Sequence, residues 1–527
     1  MYTSLAQACE PATFSGLDLF GAEIVSVRAS LVSNYSASVP SAYRYTFPST
    51  ELVNATFCNV TVSYTHPGQN DNVIVEAWLP EKDDWNERFL AVGGGGWVAG
   101  RFFLSYAGMN GAIADGYATI TTDAGLGSAM DASPWALLSP GNVNLYNLQN
   151  LGSTSLNDEA VLGKQFIQSY YGKPPKFSYW NGCSQGGRQG MMLAQRYPDA
   201  YDGIAAGAPA IYWTEFFASV QWPQQVMNMA GEYPYSCEIE AINAAAVSAC
   251  DELDGVKDGI ISLPDECLAQ FDPFQLVGTH VNCTEAGGTI QISNVAATVT
   301  NATWRGTTDA DGKKLWHGLN PGSDLTGTDL RSYGQTGVAA TDCTSGTCTG
   351  APSILGQQWL ELFIARNPGF DFSNLTHAEF DRFFRASGQM YRSMIGTGDA
   401  DLRDFKNAGG KLVTFHGMND NIIPPGGTKQ YYDAVAEVIP DVHDFYRVFE
   451  VPGLGHCFGG ASGTPTGLFA QLRRWVEDGA APDQTAVDVT DLAGATQHRI
   501  VCAYPQRAEP VQGCADPAAA DCWTCVE

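Results

Sequence analysis

Short apolar runs alternate with amphipathic stretches from about residue 50 to residue 210. The apolar runs 72–79, 88–92 and 117–121 predict strands, and the second ends at four consecutive glycines. Residues 157–170 carry apolar side chains at positions 161, 162, 166 and 167, the spacing of one helix face. Strands that alternate with helices predict an α/β domain built on a parallel sheet.

The alternation stops near residue 212 and resumes near residue 401. The segment between is rich in Thr, Gly and Asn, contains six cysteines, and has scattered predicted helices such as 353–366. The resumed pattern predicts strands and helices in turn, at 410–417, 427–438, 445–449 and 466–475. We therefore expect one α/β domain, residues 1–211 and 401–527, interrupted by an inserted domain of residues 212–400.

One serine lies in a sequence context that favours catalysis. The apolar run Phe177–Trp180 leads into Gly182-Cys183-Ser184-Gln185-Gly186, a G-x-S-x-G frame, and residues 187–197 predict a helix. Strand, turn and helix in this order form a nucleophile elbow, which exposes the serine hydroxyl above the sheet. The frame alone also arises by accident in glycine-rich chains, where the serine only occupies a turn. The context favours a catalytic Ser184 in an α/β-hydrolase core.

The acid and the base of such a triad follow the serine in the order Asp or Glu, then His. Asp420 follows the first strand of the resumed pattern, and His456 lies in a Gly/Pro-bounded loop between the last predicted strand and helix. Asp401 and Asp404 compete for the acid role, but they better suit the polar face of a helix. His416 better suits a structural position at a strand end than a second base.

Two cysteines adjoin the predicted triad. Cys183 precedes Ser184, and Cys457 follows His456. A disulfide requires Cα atoms about 4.4–6.8 Å apart, so a Cys183–Cys457 bond would hold the histidine loop against the elbow. Either cysteine could instead pair elsewhere or stay free, but adjacency to two triad residues favours this bond.

An oxyanion hole needs two backbone N–H donors near the serine. The first is expected from Gln185, the residue after the nucleophile. The second is expected from Gly93–Gly96, where missing side chains let the backbone approach a substrate carbonyl. We favour Gly96 over Gly95, with a purely structural turn as the alternative.

Charge and cysteine content restrict the partners and the compartment. A net charge of −28 and a pI near 4.5 argue against nucleic acid and anionic membrane surfaces as partners. No apolar run reaches the ~18 residues of a transmembrane helix. Fourteen cysteines and six glycosylation sequons favour an oxidising secretory route, the sequons being at Asn34, Asn54, Asn59, Asn282, Asn301 and Asn374. Met1-Tyr2-Thr3-Ser4 is no signal peptide, so we expect a mature secreted form whose signal has been removed or replaced.

An acidic loop suggests a metal site. Asp251, Asp254 and Asp258 lie within eight residues, next to glycines that permit tight curvature. Three carboxylates suit a hard cation that prefers oxygen ligands. The spacing is not that of an EF-hand, which ends on a glutamate at its twelfth position. A solvated acidic turn is the alternative.

Together these residues resemble the tannase and feruloyl esterase family of secreted α/β-hydrolases. The likeness covers most of the chain and rests on Gly182–Gly187, Gly207–Ala210, His416-Gly417 with Asp420, and Pro452-Gly453 leading to His456-Cys457. It implies that residues 212–400 are a lid domain. It also implies hydrolysis of phenolic esters: ferulate or related hydroxycinnamate esters of plant cell-wall polysaccharide first, and galloyl esters, as in a tannase, second.

The resemblance further implies a structural Ca²⁺ in the lid. Its ligands would be the side chains of Asp251, Asp254 and Asp258 and the carbonyls of Val256 and Ile260. Cys250 and Cys267 bracket this loop and are expected to bond across it.

The other disulfides are assigned from chain order alone. Expected pairs are Cys9–Cys58, Cys237–Cys283 and Cys343–Cys348. The last four cysteines share two bonds, for which Cys502–Cys525 with Cys514–Cys522 is one nested choice.

Two points about substrate binding stay open in the sequence. Trp304, Trp316, Tyr333 and Trp359 could stack on a phenolic ring, although aromatic residues in such a domain more often belong to its core. A catalytically inactive binding module is the alternative of a different class. Such modules usually lack a triad residue, whereas all three are present here.

Overall fold

The computed structural model describes residues 5–328, 337–514 and 518–527, and its largest element is a nine-stranded sheet. The strands are β1 Glu23–Val39, β2 Thr50–Thr65, β3 Val73–Pro80, β4 Arg88–Val92, β5 Ala118–Thr122, β6 Phe177–Cys183, β7 Gly203–Gly207, β8 Lys411–Gly417 and β9 Tyr446–Val451. Their order across the sheet is β1-β2-β3-β5-β4-β6-β7-β8-β9. The strands from β5 to β9 in that order are parallel, and β1, β2 and β3 add antiparallel neighbours at one edge.

Helices cover both faces of this sheet because its strands are apolar on both sides. In β4, Phe89 and Ala91 point into one buried cluster, and Leu90 and Val92 point into the other. The first face packs against the helices Ser155–Tyr171, Gln185–Arg196 and Pro425–Val438. The second packs against Phe103–Ala114 and Leu468–Asp478. The predicted α/β-hydrolase fold is confirmed.

The insertion, residues 212–400, contributes no strand to the sheet within the described ranges. Its helices are Trp213–Val220, Trp222–Ala230, Ser236–Cys250, Pro264–Gln270, Asn294–Arg305, Ile354–Gln358 and His377–Ile395. Its core also takes in Trp97, Trp135 and Leu148 from the α/β part. The insertion therefore packs directly on the loops above the sheet, although the division into two domains stays a prediction.

One predicted helix differs from the structure. Over 353–366 the α-helix ends at Gln358, and Trp359–Ile364 continues as a π-helix. Trp359 and Phe363 are both fully buried, with ring centroids 5.0 Å apart. The wider turn of the π-helix thus accompanies the packing of Trp359 against Phe363, which the apolar pattern of the sequence does not predict.

Short elements complete the fold. The remaining α-helices are Leu5–Ala8, Ser133–Ala136, Leu145–Gln149 and Arg403–Asn407. The two-stranded pairs are Leu137–Ser139 with Asn142–Val143, His280–Cys283 with Gly288–Gln291, Thr341–Asp342 with Thr349–Gly350, Gln484–Thr490 with Thr496–Cys502, and Arg507–Pro510 with Trp523–Val526. Among the described helices, none combines the length and apolar character that a membrane crossing requires.

All fourteen cysteines lie in the described ranges and all are paired. The bonds are Cys9–Cys58, Cys183–Cys457, Cys237–Cys283, Cys250–Cys267, Cys343–Cys348, Cys502–Cys525 and Cys514–Cys522. These are the pairs expected above, including the nested choice at the C-terminus.

The glycosylation sequons and the ring-stacking candidates differ in their exposure to solvent. Asn34, Asn54, Asn282 and Asn374 are exposed, which leaves room for a glycan at each. Asn59 and Asn301 are half-buried, and the Asn59 amide donates a hydrogen bond to Glu76. Of the ring-stacking candidates, Trp304, Trp316 and Trp359 are buried in the core of the insertion, and Tyr333 lies outside the described residues.

Candidate active site

Ser184 lies on a sharp turn between β6 and the helix Gln185–Arg196. Its φ of 63° and ψ of −120° are unusual for a residue with a side chain. The turn is tight: a Cβ on Gly182 would lie 2.6 Å from the carbonyl carbon of Gly186. The glycine is therefore required, and the strained serine has the geometry of a nucleophile elbow.

The base and the acid meet in a buried pair. His456 Nδ1 lies 2.8 Å from Asp420 Oδ2, and both side chains are buried. Asp420 Oδ1 accepts the backbone N–H groups of Ile422 and Ile423, each at 2.8 Å. Burial alone would raise the pKa of the Asp420 carboxyl. The charge of His456 and the hydrogen bonds of His416 and His456 outweigh it, so this pKa lies well below its usual range.

His416 is a second histidine on the same carboxylate. Its Nε2 lies 3.2 Å from Asp420 Oδ2 and 3.1 Å from the carbonyl of Ile423, and its Nδ1 lies 2.8 Å from Thr428 Oγ1. Since both ring nitrogens have partners, His416 supports the acid and is not free to act as a base. The competing acids lie elsewhere: Asp401 is exposed and paired with Arg403, and Asp404 is exposed on a short helix.

The Cys183–Cys457 disulfide joins the elbow to the histidine loop. Their Cα atoms are 5.9 Å apart although the residues are 274 positions apart in sequence. His456 Nε2 lies 3.8 Å from Cys457 Sγ, so the ring nitrogen not used by Asp420 faces the disulfide beside the elbow. In a triad, this second nitrogen is the one that receives the serine proton.

The backbone N–H groups of the glycine loop, Gly93–Gly96, differ in whether they already donate a hydrogen bond. The N–H groups of Gly93, Gly94 and Gly95 already donate to Asn181 O, Gln189 Oε1 and Val98 O. The N–H groups of Gly96 and Gln185 have no acceptor among the described residues. Gly96 has a φ of 54°, and a Cβ there would lie 2.8 Å from Met130 Sδ. The geometry thus favours Gly96 over Gly95 as the second donor.

The surroundings of the disulfide and the glycine loop are apolar and aromatic. Tyr43 contacts Phe103 and Phe458, with ring centroids 6.1 and 5.8 Å apart. Phe103 and Met130 are exposed, and Leu355 of the insertion approaches Gly96. Sequence reasoning missed these side chains because no motif marks them. We call Tyr43, Phe103 and Phe458 the aromatic rim.

The acidic loop has a donor set that fits a hard cation, because all five expected ligands offer oxygen. Asp251 Oδ1 accepts the N–H groups of Asp258 and Gly259, and Asp254 Oδ1 accepts that of Val256. Asp258 Oδ1 accepts the N–H of Ile260. Each carboxylate therefore uses one oxygen to shape the loop, and Asp251 and Asp254 keep the other.

Two observations limit this fit. The Arg499 guanidinium contacts the second oxygen of Asp258. Within the described ranges, no three His, Cys, Asp or Glu side chains are grouped closely enough to hold a metal. Calcium binding would require the carboxylates to draw together, and it stays a prediction.

Comparisons with known proteins agree with this site. A family model described as tannase and feruloyl esterase matches residues 58–526, which include Ser184, Asp420 and His456. A probable feruloyl esterase of Arthroderma benhamiae is 40% identical over 468 residues, covering 87% of this chain and 84% of that protein. The structure of tannin acyl hydrolase from Aspergillus niger matches with a TM-score of 0.86 at 26% identity, covering 99% of this chain and 96% of its own. Feruloyl esterase B from Aspergillus oryzae matches with a TM-score of 0.80 at 25% identity, covering 99% and 100%.

Proposed function

Since the chain belongs to the tannase and feruloyl esterase family, we propose that it hydrolyses hydroxycinnamate esters through an acyl-enzyme on Ser184. It is a carboxylic-ester hydrolase, and its main activity is that of a feruloyl esterase. One observation carries the proposed mechanism. The Cys183–Cys457 disulfide holds the His456 loop beside Ser184, and His456 Nδ1 is bonded to the buried, ionised Asp420.

In the proposed reaction, His456 removes the proton of the Ser184 hydroxyl as Oγ attacks the ester carbonyl. The oxygen that becomes negative is stabilised by the N–H groups of Gln185 and Gly96. Asp420 orients the imidazole and stabilises its positive charge. The alcohol leaves with the proton from His456, and the acyl group stays on Ser184. His456 then activates water, which releases the acid and restores the serine.

The substrate proposal rests on the aromatic rim and on the relatives. Tyr43, Phe103 and Phe458 offer ring faces beside the histidine loop, and offset or edge contacts with a phenolic ring are favourable. Met130 and Leu355 add apolar surface at Gly96. These contacts suit the hydrophobic propenoyl spacer of a ferulate ester. The similarity to a tannin acyl hydrolase makes galloyl esters the second candidate.

Initial rates on methyl ferulate and methyl gallate test this order. We expect the higher kcat/KM on methyl ferulate, because a galloyl group has no propenoyl spacer and carries more hydroxyl groups to desolvate. A higher value on methyl gallate would make the protein a tannase. Absence of turnover on both would contradict the phenolic-ester proposal.

We further propose secretion and a structural calcium ion. Seven disulfides support an oxidising compartment. The oxygen-only donor set of Asp251, Asp254, Val256, Asp258 and Ile260 supports Ca²⁺, which would tie the acidic loop together and supply no step of the reaction.

A further inference from the structure

Gln189 bonds both ends of the loop that carries Gly96. It is fully buried on the helix Gln185–Arg196, four residues after Gln185. Its Oε1 accepts the N–H of Gly94 at 2.9 Å, and its Nε2 donates to the carbonyl of Ala99 at 2.9 Å. A primary amide accepts at its oxygen and donates from its nitrogen, and only this orientation of the Gln189 amide satisfies both backbone groups.

The segment between these two contacts is a closed turn with Gly96 near its tip. Gly95 and Val98 exchange backbone hydrogen bonds of 3.0 and 2.9 Å. Outside the turn, Gly186 N donates to Gly94 O at 3.1 Å, and Ser105 Oγ donates to Gly93 O at 3.0 Å. The backbone on both sides of Gly96 is therefore fixed, while the N–H of Gly96 itself stays available.

The loop and the elbow helix are also in direct backbone contact. A Cβ on Gly93 would lie 2.6 Å from Gly186 Cα and 2.9 Å from Gln189 Oε1. The two segments are in contact at this point, and the amide of Gln189 holds them together alongside the Gly186 N to Gly94 O hydrogen bond. Gln185 and Gln189 lie about one turn apart on the same helix.

We propose that Gln189 is a positioning residue of the oxyanion hole, which fixes the N–H of Gly96 relative to the N–H of Gln185. The inference rests on the proposed ester hydrolysis through Ser184. Two donors stabilise one oxyanion only if both lie at hydrogen-bond distance from it before the reaction begins. Gln189 supplies that preorganisation from a position that does not touch the substrate.

A second anchor keeps the loop folded when Gln189 is changed. Trp97, next to Gly96, is fully buried among aromatic side chains of the insertion. Its ring centroid lies 5.4 Å from that of Trp213, 5.2 Å from Phe217 and 5.4 Å from Phe363. Loss of the amide of Gln189 should therefore shift the N–H of Gly96 without unfolding the loop.

The test compares Gln189→Ala with Gln195→Ala. Gln195 is half-buried on the same helix and donates to the hydroxyl of Tyr431 at 2.9 Å, so its variant removes an amide hydrogen bond away from the glycine loop. Steady-state rates are measured on p-nitrophenyl acetate. Inhibition is measured with phenylboronic acid, which forms a tetrahedral adduct on a serine nucleophile, and with ferulate, which does not.

For Gln189→Ala we expect kcat to fall about 10–100-fold, with KM within about twofold, since one oxyanion donor is worth about 10²–10³ in kcat. The inhibition constant for phenylboronic acid should rise by a similar factor, and that for ferulate should not change. Gln195→Ala should match the wild type in all four values. A merely structural role of Gln189 would lower thermal stability and leave the ratio of the two inhibition constants unchanged.

Gln189→Glu keeps an acceptor for the N–H of Gly94 and places a carboxylate oxygen against the carbonyl of Ala99. Its kcat and its affinity for phenylboronic acid should both be lower than those of the wild type. If Gln189→Ala does not fold, this variant tests the positioning role in its place. Wild-type kcat and boronate affinity in the folded Gln189 variants would overturn the positioning role. A wild-type enzyme without turnover on p-nitrophenyl acetate, methyl ferulate and methyl gallate would instead overturn the proposed function itself.

Discussion

The Cα atoms of Cys183 and Cys457 lie 5.9 Å apart, so one disulfide joins the residue before Ser184 to the residue after His456. The chain between them includes the whole insertion. Nucleophile and base therefore keep their relative position through a covalent link as well as through packing.

Removal of this disulfide should affect both stability and turnover. For Cys183→Ala with Cys457→Ala we expect a loss of about 2–5 kcal/mol in the free energy of unfolding, because the long loop is no longer closed in the unfolded chain. We expect kcat to fall about 10–100-fold, since a misplacement of about 1 Å in a catalytic group has that effect.

The matched control is Cys343→Ser with Cys348→Ser, which opens a bond between residues only five apart within the insertion. Chemical denaturation and kcat on methyl ferulate give the two readouts. If both double variants behaved like the wild type, the disulfide would have no role in the active site.

Asp420 should be essential for rate and dispensable for substrate binding. Asp420→Asn removes the charge that stabilises the imidazolium and allows the wrong tautomer of His456, so kcat should fall roughly 10⁴-fold. Asp404→Asn, which changes the exposed competing carboxylate, should leave kcat unchanged. A large loss of kcat in the Asp404 variant, or a small loss in the Asp420 variant, would show that Asp420 is not the acid of the triad.

A histidine that is not part of the triad, His66, should make stability depend on pH. His66 Nδ1 lies 2.6 Å from Asp71 Oδ2, and Nε2 lies 3.3 Å from Asp158 Oδ2. The hydrogen bond to Asp158 raises the pKa of His66 against the effect of burial, and with the contribution of Asp71 it reaches about 9. The stabilisation should be complete below pH ~6.5 and disappear as pH rises through about 9.

Urea unfolding of the wild type and of His66→Gln between pH 6 and pH 10 tests this. The difference between their free energies of unfolding should shrink as pH rises. A difference that stays constant across this range would show that the charge of His66 does not contribute.

Calcium should matter to stability before it matters to chemistry. Chelation with EDTA should lower Tm by a few degrees, because a ligand that binds only the folded state stabilises it. The rate on methyl ferulate at low temperature should not change at once, and added CaCl₂ should restore Tm. An unchanged Tm under both conditions would leave Arg499 as the only cation at Asp258.

The sequence predicted those features that have a local signal. The strand Arg88–Val92 matches its prediction residue for residue, and the elbow at Ser184 follows from strand, turn and helix in a row. The long strand Glu23–Val39 was missed because it is largely exposed and rich in Ser, so no apolar run marks it.

No sequence pattern indicates the contacts between residues that the fold brings together from different segments of the chain. Gln189 with Gly94 and Ala99, His416 with Asp420, and the aromatic rim all depend on where the strands place the loops. The order of the triad in the chain could be predicted because the fold constrains it, whereas the side chains that support the triad come from many loops.

Covalent labelling tests the central claim most directly. The enzyme is treated with the organophosphate diethyl p-nitrophenyl phosphate, and peptide mass spectrometry locates the label while residual esterase activity is followed. The account predicts one diethylphosphoryl group, on Ser184, in step with complete loss of activity, and no label at this position in Ser184→Ala, which should be folded and inactive. Labelling of another residue with loss of activity, or turnover by Ser184→Ala, would contradict it.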